Sequence, residues 1–468
     1  MTDPLSIALD RSARTSLAEQ IRSAVATAIE NGVLAPGARL PSWIDLATQL
    51  GVARGTVRAA YEKLLDAQLV VASTANGTRV AERPPDASTR TESPASRPFM
   101  MMYRELAAGN MIFKMGVPAH ECFPAKLFSR IRARSIRAEA GLTASHPDRQ
   151  GEPGLRREIA AHLALARGLK CSPSQVFITA GFAAGLGLTL LALGLEGRKA
   201  WMEDPGFPLT RRALEIGRLS LVPVPVDDEG IDVDYGIAQA PDAALALLTP
   251  GQQAPLGTTL SLSRRLKLLE WTESSGAFII EDDYLSELQL KNRAAPALAS
   301  LDRAGRVIHM GSFSKTLTPN LRLGFIVVPP ELIARFADCA TCLAPAPGTA
   351  VQLAMTEFMR EGHYMRHLRR TKRVYSARGA ALLDAFARRG RPIEIGGLAA
   401  LLPLPIDVDD IRIAREALKF GLAPVPLSPW RMLPSTTTSG LLLGIATTPT
   451  EHLDAACDRM IEIIERLS

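Results

Sequence analysis

Gly311-Ser-Phe-Ser-Lys-Thr-Leu-Thr-Pro-Asn-Leu-Arg-Leu-Gly324 lies between two short apolar runs, Arg306-Val-Ile-His309 and Phe325-Ile-Val-Val328. Its side chains are those needed to hold an aldehyde cofactor that carries a phosphate. Lys315 supplies an amine, which attacks an aldehyde once its pKa is lowered. Ser312 and Ser314 supply hydroxyls on its N-terminal side, and Arg322 supplies a planar guanidinium able to grip phosphate oxygens in bidentate fashion. The bland alternative is a surface Ser/Lys/Arg loop between two strands, and the rest of the chain decides between them.

At 468 residues the chain is too long for one ordinary core and suggests about two to four folding units. The apolar run Gly185 to Leu195 is too short to span a bilayer and reads as a buried helix, so no membrane partner is expected. Met-Thr-Asp-Pro at the start lacks the basic and apolar regions of a secretory signal, which makes the cytoplasm the expected location. Cys122, Cys171, Cys339, Cys342 and Cys457 form an odd, dispersed set, against a disulfide framework. Cys339-x-x-Cys342 has no second pair beside it and reads as ordinary thiols. His363 and His367 share a helix face without the glutamate of a zincin, so they read as a solvated face and no metal is expected. The net charge of +6 permits an anionic partner without requiring one.

Residues 1–80 have their own rhythm. Leu17, Ile21, Val25, Ala28 and Ile29 recur at helical spacing, which predicts a first helix over about 15–31. Ser42 is placed to cap a second helix that runs to Leu50 and is closed by Gly51; a third begins near Arg54. Two short helices joined by Gly51-Val-Ala53 form a helix-turn-helix pattern, with Arg54, Thr56 and Arg58 facing a major groove and Val57, Tyr61, Leu64 and Leu65 facing the core. Leu69-Val-Val-Ala-Ser and Thr78-Arg-Val80 alternate around Asn76-Gly77, as a two-stranded wing would.

Arg39-Leu-Pro-Ser42, Leu46-Ala47, Gly51-Val-Ala-Arg54, Thr56-Val-Arg58, Tyr61-Glu62 and Gly77-Thr78 resemble a GntR-type winged helix-turn-helix, which implies double-stranded operator DNA as partner and Arg39, Arg54, Thr56, Arg58 and Gly77 at the interface. Ile44 departs from that family, which usually has a cation there. The module holds eight Arg/Lys against seven Asp/Glu, so DNA binding must rely on where its cations are placed, and it should be salt-sensitive.

Residues 81–98, with Pro84, Pro85, Pro94 and Pro98 and no apolar period, read as a linker that reaches about 50 Å if extended at roughly 3.1 Å per residue. Beyond it, 99–468, strand-like and helical stretches alternate. Gln175–Thr179, Ala243–Leu248, Ala277–Ile280, Arg306–His309 and Phe325–Val328 are apolar runs suited to a buried, mostly parallel sheet. From about residue 350, helices around Met355–Phe386 and Thr450–Leu467 and strands near Leu398–Pro403 and Leu441–Ile445 suggest a smaller α+β unit.

Glu281-Asp-Asp-Tyr284 ends one of those strands, where open α/β sheets gather ligand groups. With the Lys315 segment, with Asp204-Pro-Gly-Phe-Pro208 and with Thr249-Pro-Gly-Gln-Gln-Ala-Pro-Leu-Gly257, it resembles the site of fold-type I pyridoxal 5'-phosphate (PLP) enzymes. The resemblance implies that Lys315 holds the cofactor covalently and Asp282 faces the pyridine nitrogen. Tyr284 and Gln253 would reach the phenolic oxygen, and Phe207 would stack on the ring. The amides of Gly181, Phe182 and Ala183, at a strand-to-helix turn, are placed to cradle the phosphate. His146, in His146-x-Asp-x-x-Gly151-x-x-Gly-Leu-Arg156, stands where a tyrosine usually reaches it from the partner subunit.

The combination, with Leu266-x-Leu-Leu-Glu-Trp271, is similar to the MocR subgroup of GntR-type regulators over almost the entire chain. That implies a PLP-dependent transcriptional regulator, a head-to-tail homodimer, whose aminotransferase-like domain senses PLP or an amine- or amino-acid-like small-molecule effector. The alternative is an active aminotransferase. Aminotransferases carry an arginine in a strand of the form Leu-Arg-Leu-Gly-Phe to clamp the substrate carboxylate; here that strand is Leu441-Leu-Leu-Gly-Ile445 and Leu442 replaces the arginine. Arg431 is a candidate substitute. The missing clamp and the DNA module together favour the regulator.

Overall fold

The computed structural model describes residues 7, 9–13, 15–73, 77–81, 102–103, 105–106, 109, 111–142, 146–290, 294–433 and 439–468. The expected linker, beyond Ala81, and Asn76 of the expected wing turn lie outside the described residues. The chain divides into two compact units, residues 1–95 and 96–468.

In the first unit Ser16 and Ser42 each accept a backbone N–H three residues on, from Glu19 and Asp45, and so start the helices α1 (Leu17–Glu30) and α2 (Trp43–Leu50). Gly51, at φ 62°, ends α2 in the left-handed conformation, and α3 (Arg54–Asp66) follows after two residues. Strands β1 (Val70–Ser73) and β2 (Gly77–Val80) pair antiparallel, and residues 37–40 run along the other edge of β2 through Gly37 N to Val80 O and Leu40 N to Thr78 O. Ile21, Val25, Leu46, Val57 and Leu64 are fully buried where the three helices meet. Each such side chain contributes about 1.5–3 kcal/mol of burial, which is what holds a module this small together.

The second unit is built on an eight-stranded sheet of order β3-β10-β9-β8-β7-β4-β5-β6. Its strands are β3 (Val176–Thr179), β4 (Lys199–Asp204), β5 (Ser220–Asp227), β6 (Gly230–Ile231), β7 (Leu245–Leu248), β8 (Phe278–Asp283), β9 (Val307–Ser312) and β10 (Gly324–Val327). From β5 to β9 neighbouring strands are parallel; β10 runs antiparallel to both β3 and β9. Successive residues enter different cores: Met202, Leu247 and Ile280 pack on one face, Trp201, Ala246 and Ile279 on the other. With both faces covered, these strands read as continuous apolar runs. A second, antiparallel sheet holds β11 (Glu394–Gly396), β12 (Ala399–Leu404), β13 (Val425–Pro426) and β14 (Ser439–Gly444) in the order β11-β12-β14-β13.

Three expectations change. The helix expected around Met355–Phe386 is two, Thr349–Arg360 and His363–Ala387, because Gly362 turns the chain at φ 69°. The Gly185–Leu195 run belongs to the helix Phe182–Leu193, which leaves Leu191 exposed. His367 does not lie on a solvated face: it is buried, with Nε2 2.6 Å from the carbonyl oxygen of Thr316.

Candidate cofactor site and nucleic-acid interface

The Gly311–Gly324 stretch closes β9, turns, and enters β10. Gly311 is obligatory: a Cβ there would lie 2.1 Å from Cζ of Phe325, its cross-strand partner. Lys315 is half-buried, and its Nζ donates to the carbonyl of Gly116 at 2.6 Å. Burial lowers its pKa, with Asp282 acting in the opposite sense. Asp282 lies one strand over, on β8. Burial first, then the neighbouring carboxyls of Asp283 and Glu203, push its pKa well above the usual range. Such a carboxyl, short of cations, suits a pyridinium nitrogen.

Phe207 and Asp282 border the same small cavity, along with Glu203, Thr210, Thr249 and Ala254. Burial pushes the Tyr284 phenol up, and the side chain of Gln252 beside it works against that shift. Gly181 caps the Phe182–Leu193 helix at φ 84° and ψ −179° with no side-chain acceptor, so the first-turn amides are left for an external anion. Ser312 and Ser314 are joined by a bond from Ser314 N to Ser312 Oγ at 3.2 Å. Arg322 is exposed and held in the left-handed region at φ 47°, a conformation that costs a non-glycine residue about 1 kcal/mol or more.

Two further expected residues differ in their surroundings. The Gln253 side chain is engaged with backbone: Nε2 donates to Pro205 O and Ala254 O, and Oε1 accepts from Leu256 N. Its neighbour Gln252 is the one beside Tyr284, and Gln252 Nε2 is buried with no hydrogen bond among the described residues. His146 is exposed and makes no hydrogen bond among the described residues. Its segment is also a joint, with Ile178 N bonded to Gln150 O and Asp148 paired with Arg156 at 2.6 Å. Leu442 is 1% exposed and packs with Ala254, Leu427 and Trp430 against Phe207, Tyr284 and Met115. Arg431 has its pKa lowered by burial and raised by Asp204. The Asp204 oxygens accept from Met432 N at 2.7 Å and Leu433 N at 2.9 Å, Gly206 N donates to Trp430 O, and Arg211 donates to the carbonyls of Arg431 and Pro429.

Behind the site lies a buried network that the sequence does not announce. Arg167 Nε meets Asp283 at 2.6 Å, His309 Nδ1 meets Glu281 at 3.0 Å, and Tyr364 bonds both Glu287 and Thr316, the residue after Lys315. Burial opposes the charge on His309, yet Glu281 and Asp283 hold its pKa above the ordinary value. Glu203 is also missed; its Oε2 accepts from Thr249 Oγ1 at 2.6 Å and Thr249 N at 3.2 Å.

On the first unit, Arg54 and Arg58 are exposed at the start of α3 and Thr56 is half-buried. Arg58 pairs with Glu62 at 3.0 Å, an exposed pair worth little and easily exchanged for phosphate. The Arg39 side chain lies along Gly77, where φ is 71° and a Cβ would come within 3.3 Å of Nε. Arg22 and Lys63 both bind Glu19, so about half of their charge is offset internally. Arg11, which the sequence does not single out, donates to Gly51 O at 2.8 Å and brings a cation to the turn before α3. Ile44 is 41% exposed on α2.

Fold and sites define a helix-turn-helix regulator joined to a domain of aminotransferase architecture. The comparisons agree: residues 17–80 match bacterial regulatory proteins of the gntR family, and residues 113–401 match aminotransferase class I and II. The probable rhizopine catabolism regulatory protein MocR of Rhizobium meliloti is 35% identical over 80% of this chain and 77% of its own length. The pyridoxine biosynthesis transcriptional regulator PdxR of Corynebacterium glutamicum is 31% identical, covering 86% of each. Among solved structures, the α-aminoadipate aminotransferase LysN of Thermus thermophilus, complexed with N-(5'-phosphopyridoxyl)-L-leucine, superimposes with a TM-score of 0.70 at 27% identity, over 80% of this chain and 95% of that one. The chain belongs to the MocR subfamily of GntR-type transcription regulators. Among the described residues no helix is long and apolar enough to cross a membrane.

Proposed function

We propose that the chain is a PLP-dependent regulator, with residues 1–80 on operator DNA, 81–98 as linker and 99–468 as the effector domain, acting in the cytoplasm as a head-to-tail homodimer. The observation that carries this reading is Lys315, its pKa lowered by burial, within the electrostatic reach of the half-buried Asp282, in a chain that also holds a GntR-type module. When bound, PLP supplies an aldehyde for a lysine or ligand amine and a ring that withdraws electrons from it. The chain's own residues supply the rest. Lys315 carries the cofactor, Asp282 keeps a proton on the ring nitrogen, and Tyr284 with Gln252 binds the phenolic oxygen. Phe207 covers one ring face. The amides of Gly181, Phe182 and Ala183, the hydroxyls of Ser312 and Ser314, and Arg322 hold the phosphate. On DNA, Arg54, Thr56 and Arg58 face the major groove, and Arg39 and Gly77 face the backbone.

An effector alters DNA binding by binding two arrangements of the effector domain unequally. A second reading, an active aminotransferase, is disfavoured by Leu442 in the clamp position. The test is gel retardation on DNA beside the chain's own gene, with and without PLP, together with an absorbance scan of wild type and Lys315→Ala. Retardation that responds to PLP, and a near-visible band lost in Lys315→Ala, is the expected result. No retardation under either condition refutes the regulator; a band that persists in Lys315→Ala refutes the lysine assignment.

A further inference from the structure

The apolar cluster around Leu442 adjoins the amine of Lys315. Nζ bonds the carbonyl of Gly116, and the side chain of the preceding residue, Met115, packs into the cluster formed by Leu442, Leu427, Trp430 and Ala254. The same cluster touches Phe207 and Tyr284, both assigned to the cofactor site proposed above. An amine that takes the place of Lys315 Nζ therefore sits one residue from Met115, whose side chain packs on the cluster of Leu442.

A carboxylate on the carbon that bears such an amine would lose its water and face alkyl groups, which is costly without a cation. The nearby guanidinium of Arg211 is tied to the carbonyls of Pro429 and Arg431, and Arg431 lies in the field of Asp204. Trp430 adds a neutral donor: it is 7% exposed and its Nε1 has no hydrogen-bond partner among the described residues. That donor suits a hydroxyl, ether or carbonyl oxygen better than a charge.

We propose that the effector site takes primary amines whose amine-bearing carbon carries no carboxylate, with Leu442 as the residue that excludes α-amino acids. This rests on the cofactor reading above.

The test uses a matched pair that differs by one carboxylate, phenethylamine and L-phenylalanine, titrated into the PLP-loaded full chain. The near-visible absorbance of the bound cofactor and calorimetric heats give the dissociation constants. Phenethylamine is expected to bind at least about tenfold more tightly. Leu442→Arg, which restores a clamp, is expected to improve L-phenylalanine at least about tenfold. The wild-type comparison stands even if that variant does not fold. Equal or tighter binding of L-phenylalanine to wild type overturns the proposal, as does a loaded site that responds to neither compound. A chain that captures no PLP overturns the cofactor reading and this proposal with it, and the absorbance scan alone reveals that case.

Discussion

Glu203 offers a measurement of how dry the cofactor cavity is. It is 6% exposed, and burial raises its pKa from the ordinary 4.5 to about 7 against the opposing bonds from Thr249 and Gln253. Between those two pH values the folded chain keeps a proton that the unfolded chain has released, so stability falls as pH rises through the window. At about 1.4 kcal/mol per pKa unit, the charged form above pH 7 costs the fold about 3 kcal/mol relative to acid conditions. Gln at this position keeps an oxygen for Thr249 Oγ1 and N but carries no charge. Glu203→Gln is therefore expected to match wild type near about pH 4.5 and to exceed it by about 2–3 kcal/mol near about pH 8. The assay is denaturant unfolding of the PLP-free chain at fixed ionic strength, since bound ligand would stabilise by mass action. If the difference between variant and wild type moves by less than about 1 kcal/mol across that range, Glu203 is better solvated than its burial implies and the reasoning fails.

Arg39→Ala, which removes a cation from the backbone-facing side, should weaken binding to operator and unrelated DNA alike and reduce the slope of log K against log salt by about 0.9, as read by anisotropy at several salt concentrations. Arg167→Met leaves Asp283 buried without its 2.6 Å partner and should cost about 3–5 kcal/mol in a denaturation experiment. Adding Asp283→Asn in the same chain should return most of that loss.

Much of the site was readable because its chemistry is carried by contiguous strings punctuated by glycine and proline. The Lys315 turn, Glu281–Tyr284, Asp204–Pro208 and the Ser42, Gly51 and Arg54 boundaries each need only local rules. What stayed hidden depends on contacts through space. Arg167 meets Asp283 across 116 residues, and His367 meets Thr316 across 51, so neither has a local signal. Gln252 and Gln253 are chemically identical, and only the turn that hands Gln253 to Pro205 O and Leu256 N separates their roles. Strand β5 escaped because Pro223 and Pro225 interrupt its apolar run. They are tolerated where β5 has only the two-residue β6 on its outer side.

The bonds around Asp204 have a mechanical meaning. Five hydrogen bonds, two to Asp204, one from Gly206 and two from Arg211, fasten the turn that bears Phe207 to residues 429–433, just ahead of β14. The Phe207 turn and the Trp430 loop are therefore joined. Because Asp204 is also the last residue of β4, the same bonds anchor the Trp430 loop to the eight-stranded sheet, so a substitution that loosens that loop loosens the seat of Phe207 as well.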